Sequence, residues 1–127
     1  MRNIFLAILI ATATPALSAE YFCEVNKKIS VDKTYSEAEL KKWQFSVKVK
    51  DFGDKAIISR CSFVSSEGKV TCDDYNSDFV YSDVFVGHKK YFHFSSQFDL
   101  QILASLDFVE NNGRGVIGFG RCKLERP

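Results

Sequence analysis

Three glycines near the C-terminus, Gly113, Gly115 and Gly118, are spaced as G-x-G-x-x-G. That pattern cradles a dinucleotide pyrophosphate where a parallel strand turns into a helix, with an acidic residue about 20 positions further on. Here the glycines follow Asn111-Asn112 between two strand-like runs, and no helical pattern follows Gly118-Phe119-Gly120. They read instead as turn and strand glycines. Gly113 supplies the positive φ of an Asn-Gly turn, and Gly115, Gly118 and Gly120 mark bulges or close packing.

The run Asp73-Asp74-Tyr75-Asn76-Ser77-Asp78 is rich in oxygen ligands, but it lacks the alternate spacing and central glycine of a calcium loop. It reads as a solvated turn, and no metal is expected. The cysteines Cys23, Cys61, Cys72 and Cys122 are spaced by 38, 11 and 50, without the C-x-x-C pairs of a zinc site. No nucleophile elbow is present, and His88 lies in a turn, so no catalytic residue and no cofactor are assigned.

An even cysteine count in an exported chain implies disulfides. Export is indicated by the first 19 residues: Arg2, an apolar run from Ile4 to Ala11, then small residues before Glu20. The expected organisation is a cleaved signal peptide over residues 1–19 and one domain over 20–127. The run is short of the roughly 20 residues of a membrane span. Glu20, Tyr21 and Phe22 before Cys23 do not make a lipoprotein site. The mature form is therefore expected without a membrane anchor, in the periplasm or outside the cell. The whole chain has 17 basic and 16 acidic residues, a near balance that gives no basis for nucleic acid as a partner.

The positioning elements follow from periodicity. Tyr21 to Val25 reads as a first strand, and Ser36-Glu37-Ala38-Glu39 as a capping box opening a short helix. Trp43 to Lys50 alternates as a strand, with Trp43, Phe45, Val47 and Val49 on one face. Ala56–Val64 and Val70–Tyr75 form a hairpin centred between Ser66 and Glu67, which sets Cys61 opposite Cys72. Of the three connectivities four cysteines allow, this favours Cys61 with Cys72 and Cys23 with Cys122, the first strand to the last. Phe79–Val86 and Lys90–Ser96 form a second hairpin over Gly87-His88-Lys89. Gln97–Ile102 is a strand or an extended edge, and Ser105–Glu110 and Gly115–Leu124 form the last hairpin. About seven or eight short strands at this spacing predict an all-β fold, a small antiparallel barrel or sandwich with one short N-terminal helix and two disulfides.

Two surfaces stand out as candidate contact sites. In the second hairpin a three-residue loop pairs Phe85 with Tyr91 and Asp83 with His93, with Tyr81 on the same face; Val80, Val84, Phe92 and Phe94 then face the core. The turn Asn111, Asn112, Gly113, Arg114 is a projecting tip, with Arg114 paired across the strands to Glu110.

The size, the export signal, the opening Tyr21-Phe22-Cys23 strand and the cysteine in the final strand resemble bacterial periplasmic inhibitors of C-type lysozyme. The resemblance implies a small disulfide-bonded antiparallel barrel. The inhibitory Ser-Gly-x-x-Tyr loop of that family is absent, so no site residue is carried over. The expected function is a non-catalytic exported module that contacts another protein, inhibitor-like or adaptor-like. The alternative is a carrier of a small apolar ligand inside the barrel, which eleven mature phenylalanines would line. An enzyme comes third.

Overall fold

A computed structural model describes residue 8 and residues 17–126. The leader expected over residues 1–19 lies almost wholly outside them. Nine strands form one antiparallel sheet: β1 (Ala19–Ser30), β2 (Ser46–Asp51), β3 (Ala56–Val64), β4 (Lys69–Asn76), β5 (Phe79–Asp83), β6 (His88–His93), β7 (Phe98–Ile102), β8 (Asp107–Asn111) and β9 (Val116–Arg126). The helix α1 (Glu37–Trp43) joins β1 to β2. The strand order is β4-β3-β2-β1-β9-β8-β7-β6-β5, two meanders fused through β1 and β9.

The all-β antiparallel class and both disulfides match expectation, Cys61 with Cys72 and Cys23 with Cys122. Each bridge joins directly opposed residues of neighbouring strands. The strand count is nine rather than seven or eight. The run left between a strand and an edge is β7, which pairs with β6 on one side and β8 on the other.

Antiparallel alternation across nine strands leaves the two outer strands, β4 and β5, running in the same direction. Only Ser77 and Asp78 separate them, too few residues for a crossover between parallel strands. The chain therefore runs straight on from one edge of the sheet to the other, and the sheet curls into a half-barrel. Tyr75 of β4 packs against His93 and Phe98 across the concave side, with ring centroids 5.3 and 6.3 Å apart.

Alternate residues fill that concave face, as the period of two requires. Val47, Val49, Ile58, Tyr91, Leu100 and Phe108 are its most buried large side chains. Two ionic bridges cross it. Asp51 at the end of β2 accepts hydrogen bonds from the Tyr91 hydroxyl at 2.7 Å and Lys89 Nζ at 3.0 Å. Arg60 of β3 donates from Nε (3.0 Å) and Nη2 (2.5 Å) to Glu110 Oε1 of β8. Glu110 is thus taken by Arg60, and the expected pair with Arg114 does not form.

Local chemistry explains where the elements start and stop. The capping box is present: Ser36 Oγ accepts from the Glu39 N–H at 3.1 Å, and Glu39 Oε1 accepts from the Ser36 N–H. The helix extends further than expected, so Trp43 is its last residue rather than the first of a strand. Gln44 ends it in the left-handed region (φ 51°), and β2 begins at Ser46. Asp73 and Asp74, expected in a turn, lie within β4.

Gly118 and Gly120 sit in β9 on the buried face, and Gly113 and Gly115 in the loop before it, so the G-x-G-x-x-G run opens no helix. Gly120 lies where the β1–β9 register shifts between Val25 and Lys27. A Cβ there would overlap the Glu24 carbonyl oxygen and stand 2.5 Å from Phe108 Cε1. The backbone has no room to yield, because Phe108 is itself buried. Gly120→Ala is expected to destabilise by about 1–3 kcal/mol, the range for overpacking; a thermal midpoint within a degree of the parent would contradict this close approach.

Candidate functional site

The strongest candidate surface is built from the stretch Asp83-Val84-Phe85-Val86-Gly87-His88. Asp83 and His88 are the last paired residues of β5 and β6, so the loop has four residues, Val84 to Gly87. Asp83 organises it: its Oδ1 accepts from the N–H groups of Phe85 (3.0 Å) and Val86 (3.4 Å), and its carbonyl accepts from the Gly87 N–H at 2.8 Å. Asp and Asn side chains close turns in this way. Gly87 adopts φ +73°, which its lack of a Cβ permits, and packs toward Ala104 of the β7–β8 turn.

The outcome is an ordered tip that holds apolar side chains in water. Phe85 is 97 % exposed and Val84 84 %. The outer face of the same hairpin continues the apolar surface. Phe79 and Tyr81 from β5 are about half exposed, and Phe94 beyond β6 is 61 % exposed. Phe92 ties them together, with ring centroids 6.0 Å from Phe79 and 6.1 Å from Phe94. The Lys90 ammonium stands 5.3 Å from the Phe92 ring centroid and 3.8 Å from an Asp99 carboxylate oxygen. Contiguous exposed aromatic surface on a folded chain marks contact sites.

The expected grouping of Tyr81, Asp83, Phe85, Tyr91 and His93 is split. The real register pairs Val80 with Tyr91, Tyr81 with Lys90 and Asp83 with His88. This differs from the expected pairing by an odd number of residues, which moves a strand's side chains to the opposite face. Tyr81 stays outside and Phe85 occupies the tip. Asp83 serves the loop backbone. Tyr91 is wholly buried on the concave side, and His93 is half-buried there, with Nδ1 2.6 Å from Ser96 Oγ and its ring against Tyr75. Phe92 and Phe94, expected in the core, belong to the outer face with Phe79, and Val84, also expected in the core, lies exposed in the loop.

The loop at Asn111 to Arg114 does not project as expected. Gly113 packs so closely on the Ser96-Gln97 backbone that any Cβ would overlap the Gln97 carbonyl. Asn111 Oδ1 accepts from the Gly113 N–H and Asn112 Oδ1 from the Arg114 and Val116 N–H groups, so both side chains shape the loop itself. Only Arg114 remains exposed.

No protein-family model, curated protein or solved structure matches the chain. The site therefore rests on its own geometry. Tyr91 has its ionisation pushed well above the ordinary tyrosine range, first by burial and then by its hydrogen bond to the Asp51 carboxylate and that group's charge. Such a hydroxyl is a fixed structural donor, unsuited to proton transfer near neutral pH. Among the described residues, no cluster of three or more His, Cys, Asp or Glu side chains is arranged to hold a metal, and no helix is long and apolar enough to cross a membrane.

Proposed function

We propose that the protein is an exported, non-catalytic module that binds another protein through the β5–β6 hairpin. The carrying observation is the tip Val84-Phe85-Val86, whose backbone is held by Asp83 while its side chains point into water. Phe85 and Val84 are almost fully exposed, so the fold gains little from burying them. An aromatic anchor displayed on a preorganised loop loses little conformational freedom on docking, and such anchors dominate binding energy at protein interfaces. Two disulfides suit an oxidising compartment, the periplasm or the extracellular space. The alternative of an apolar carrier finds less support, because Tyr91, Phe108 and Leu100 fill the concave face and two ionic bridges cross it.

Two measurements test this reading. Phe85→Asp is expected to leave the thermal midpoint almost unchanged, within about 0.5 kcal/mol, as for surface substitutions generally. A photo-crosslinking residue placed at Phe85 in cells that export the protein should yield a discrete protein adduct, absent when Val84→Asp is added. The same probe at exposed Lys50 on β2 should not. Equal adducts from both positions, or none from Phe85, would rule the hairpin out.

A further inference from the structure

A second site lies in the cavity between β1 and β4, away from the hairpin tip. It is an open cavity of about 180 Å³, lined by residues of five strands and by Phe45. Arg60 and Glu110 form its floor. Their bridge engages Arg60 Nε and Nη2 with one carboxylate oxygen, and Arg60 Nη1 and Glu110 Oε2 make no hydrogen bond among the described residues. Lys28 enters from β1 with its ammonium 3.5 Å from the centroid of the Phe45 ring. Asp73 stands on β4 directly across from Arg60, solvent-exposed at the rim, with Tyr75 on the same face. Neither Lys28 nor Asp73 joins any ion pair or side-chain hydrogen bond among the described residues.

The charges in this cavity are unevenly matched. Arg60 and Glu110 answer each other. Lys28 is half-buried, and its ammonium is held below the ordinary lysine range by burial, with Glu110 opposing and the nearby Arg60 adding repulsion. Two cations therefore stand close together with one committed carboxylate beside them, and the exposed Asp73 carboxylate stands at the rim directly across the β3–β4 pairing from Arg60. A lone anion would meet the Asp73 carboxylate beside Arg60, and a lone cation would add to the repulsion at Lys28. A small molecule carrying both charges satisfies both ends.

We infer that this cavity binds a small zwitterion of the free α-amino acid class. Its carboxylate is received between Lys28 Nζ and Arg60 Nη1, and its ammonium faces Asp73. The volume suits a molecule of that size rather than a peptide. This inference is independent of the contact reading of the hairpin, and either can fail without the other.

The test is an amide-resolved NMR titration of the folded, disulfide-bonded protein with L-alanine, with acetate and methylammonium as single-charge probes. Saturable shifts clustered at Lys28, Ser46, Ser62 and Asp73 are expected with L-alanine. Each single-charge probe should bind more weakly by about tenfold or more, and Lys28→Gln and Asp73→Asn should each weaken L-alanine by about tenfold, equivalent to about 1.4 kcal/mol. Both substituted side chains lie outside the core, so the variants should keep the parent spectrum elsewhere. Acetate binding as tightly as L-alanine would make this an anion site and overturn the proposal. So would the absence of saturable shifts, or L-alanine binding that neither variant weakens.

Discussion

Asp51→Ala is expected to lose about 3–5 kcal/mol of folding stability, the range for removing one partner of a buried ion pair. Asp51 is wholly buried, yet its carboxylate is fully engaged: Lys89 Nζ and the Tyr91 hydroxyl on Oδ2, and the Gly53 N–H on Oδ1 at 2.7 Å. Removing it strands a part-buried ammonium and a buried hydroxyl at once, and frees the β2–β3 turn. Asp51→Asn keeps hydrogen-bonding capacity and should lose less. Combining Asp51→Asn with Lys89→Met removes the orphaned charge and should recover part of the Asp51→Asn deficit, since a buried pair can often be replaced by apolar groups at little net loss. Equal stability of Asp51→Ala and parent in urea titration would show that the bridge does not hold the half-barrel closed.

The same bridge sets an alkaline limit. Burial alone would lower Lys89, but the hydrogen bond and charge of Asp51 outweigh it and raise it; Tyr91 is raised by burial and then by Asp51. In both groups the folded state holds its proton more tightly than the unfolded chain. Their contribution is therefore complete below the unfolded values, near pH 10, and is lost as pH rises beyond them. Stability should fall above about pH 10, and less steeply in Tyr91→Phe than in the parent. Identical slopes would remove Tyr91 from this account.

Much of this architecture is legible from local chemistry, and each departure from it has a physical cause. The β3–β4 loop Ser65-Ser66-Glu67-Gly68 ends in a glycine at φ +64° directly before the next strand, and counting symmetrically from it placed Cys61 opposite Cys72. The loop Val84-Phe85-Val86-Gly87 has the same build, with Gly87 in the same place. Its apolar residues read as strand, which sets the expected turn at Gly87 to Lys89, later than the real one, and exchanges the hairpin faces. Polar loop chemistry marks turns because most turns face water and need no apolar residues. A turn that displays Val and Phe breaks that association, which is also why it is the candidate contact site. The β6–β7 loop is opaque for another reason. Gln97 adopts φ +56° without being glycine, held by its packing against Gly113, and no single-residue preference announces it. The ionic bridges were illegible because each joins strands 38 to 50 residues apart, and only the curl of the sheet brings them together.

Removing the Cys23–Cys122 bridge by the double substitution to Ala is expected to destabilise by about 4–5 kcal/mol, against about 3 kcal/mol for the Cys61–Cys72 double variant. The difference follows from the chain each bridge closes: 99 residues in the first case and 11 in the second. Constraining the longer loop removes more freedom from the unfolded chain. The environments point the same way. Cys23 and Cys122 are buried on the concave face, whereas Cys72 lies exposed on an edge strand. Cys23–Cys122 also staples β1 to β9, the strand pairing that fuses the two meanders into one sheet. At roughly 4–8 °C per kcal/mol for a domain of this size, the first variant should lower the thermal midpoint by about 16 °C or more. Against a total of about 5–15 kcal/mol typical of single domains, that leaves a marginal fold. If the short-loop variant proved the less stable of the two, the half-barrel would owe its closure to the β3–β4 hairpin rather than to the β1–β9 seam.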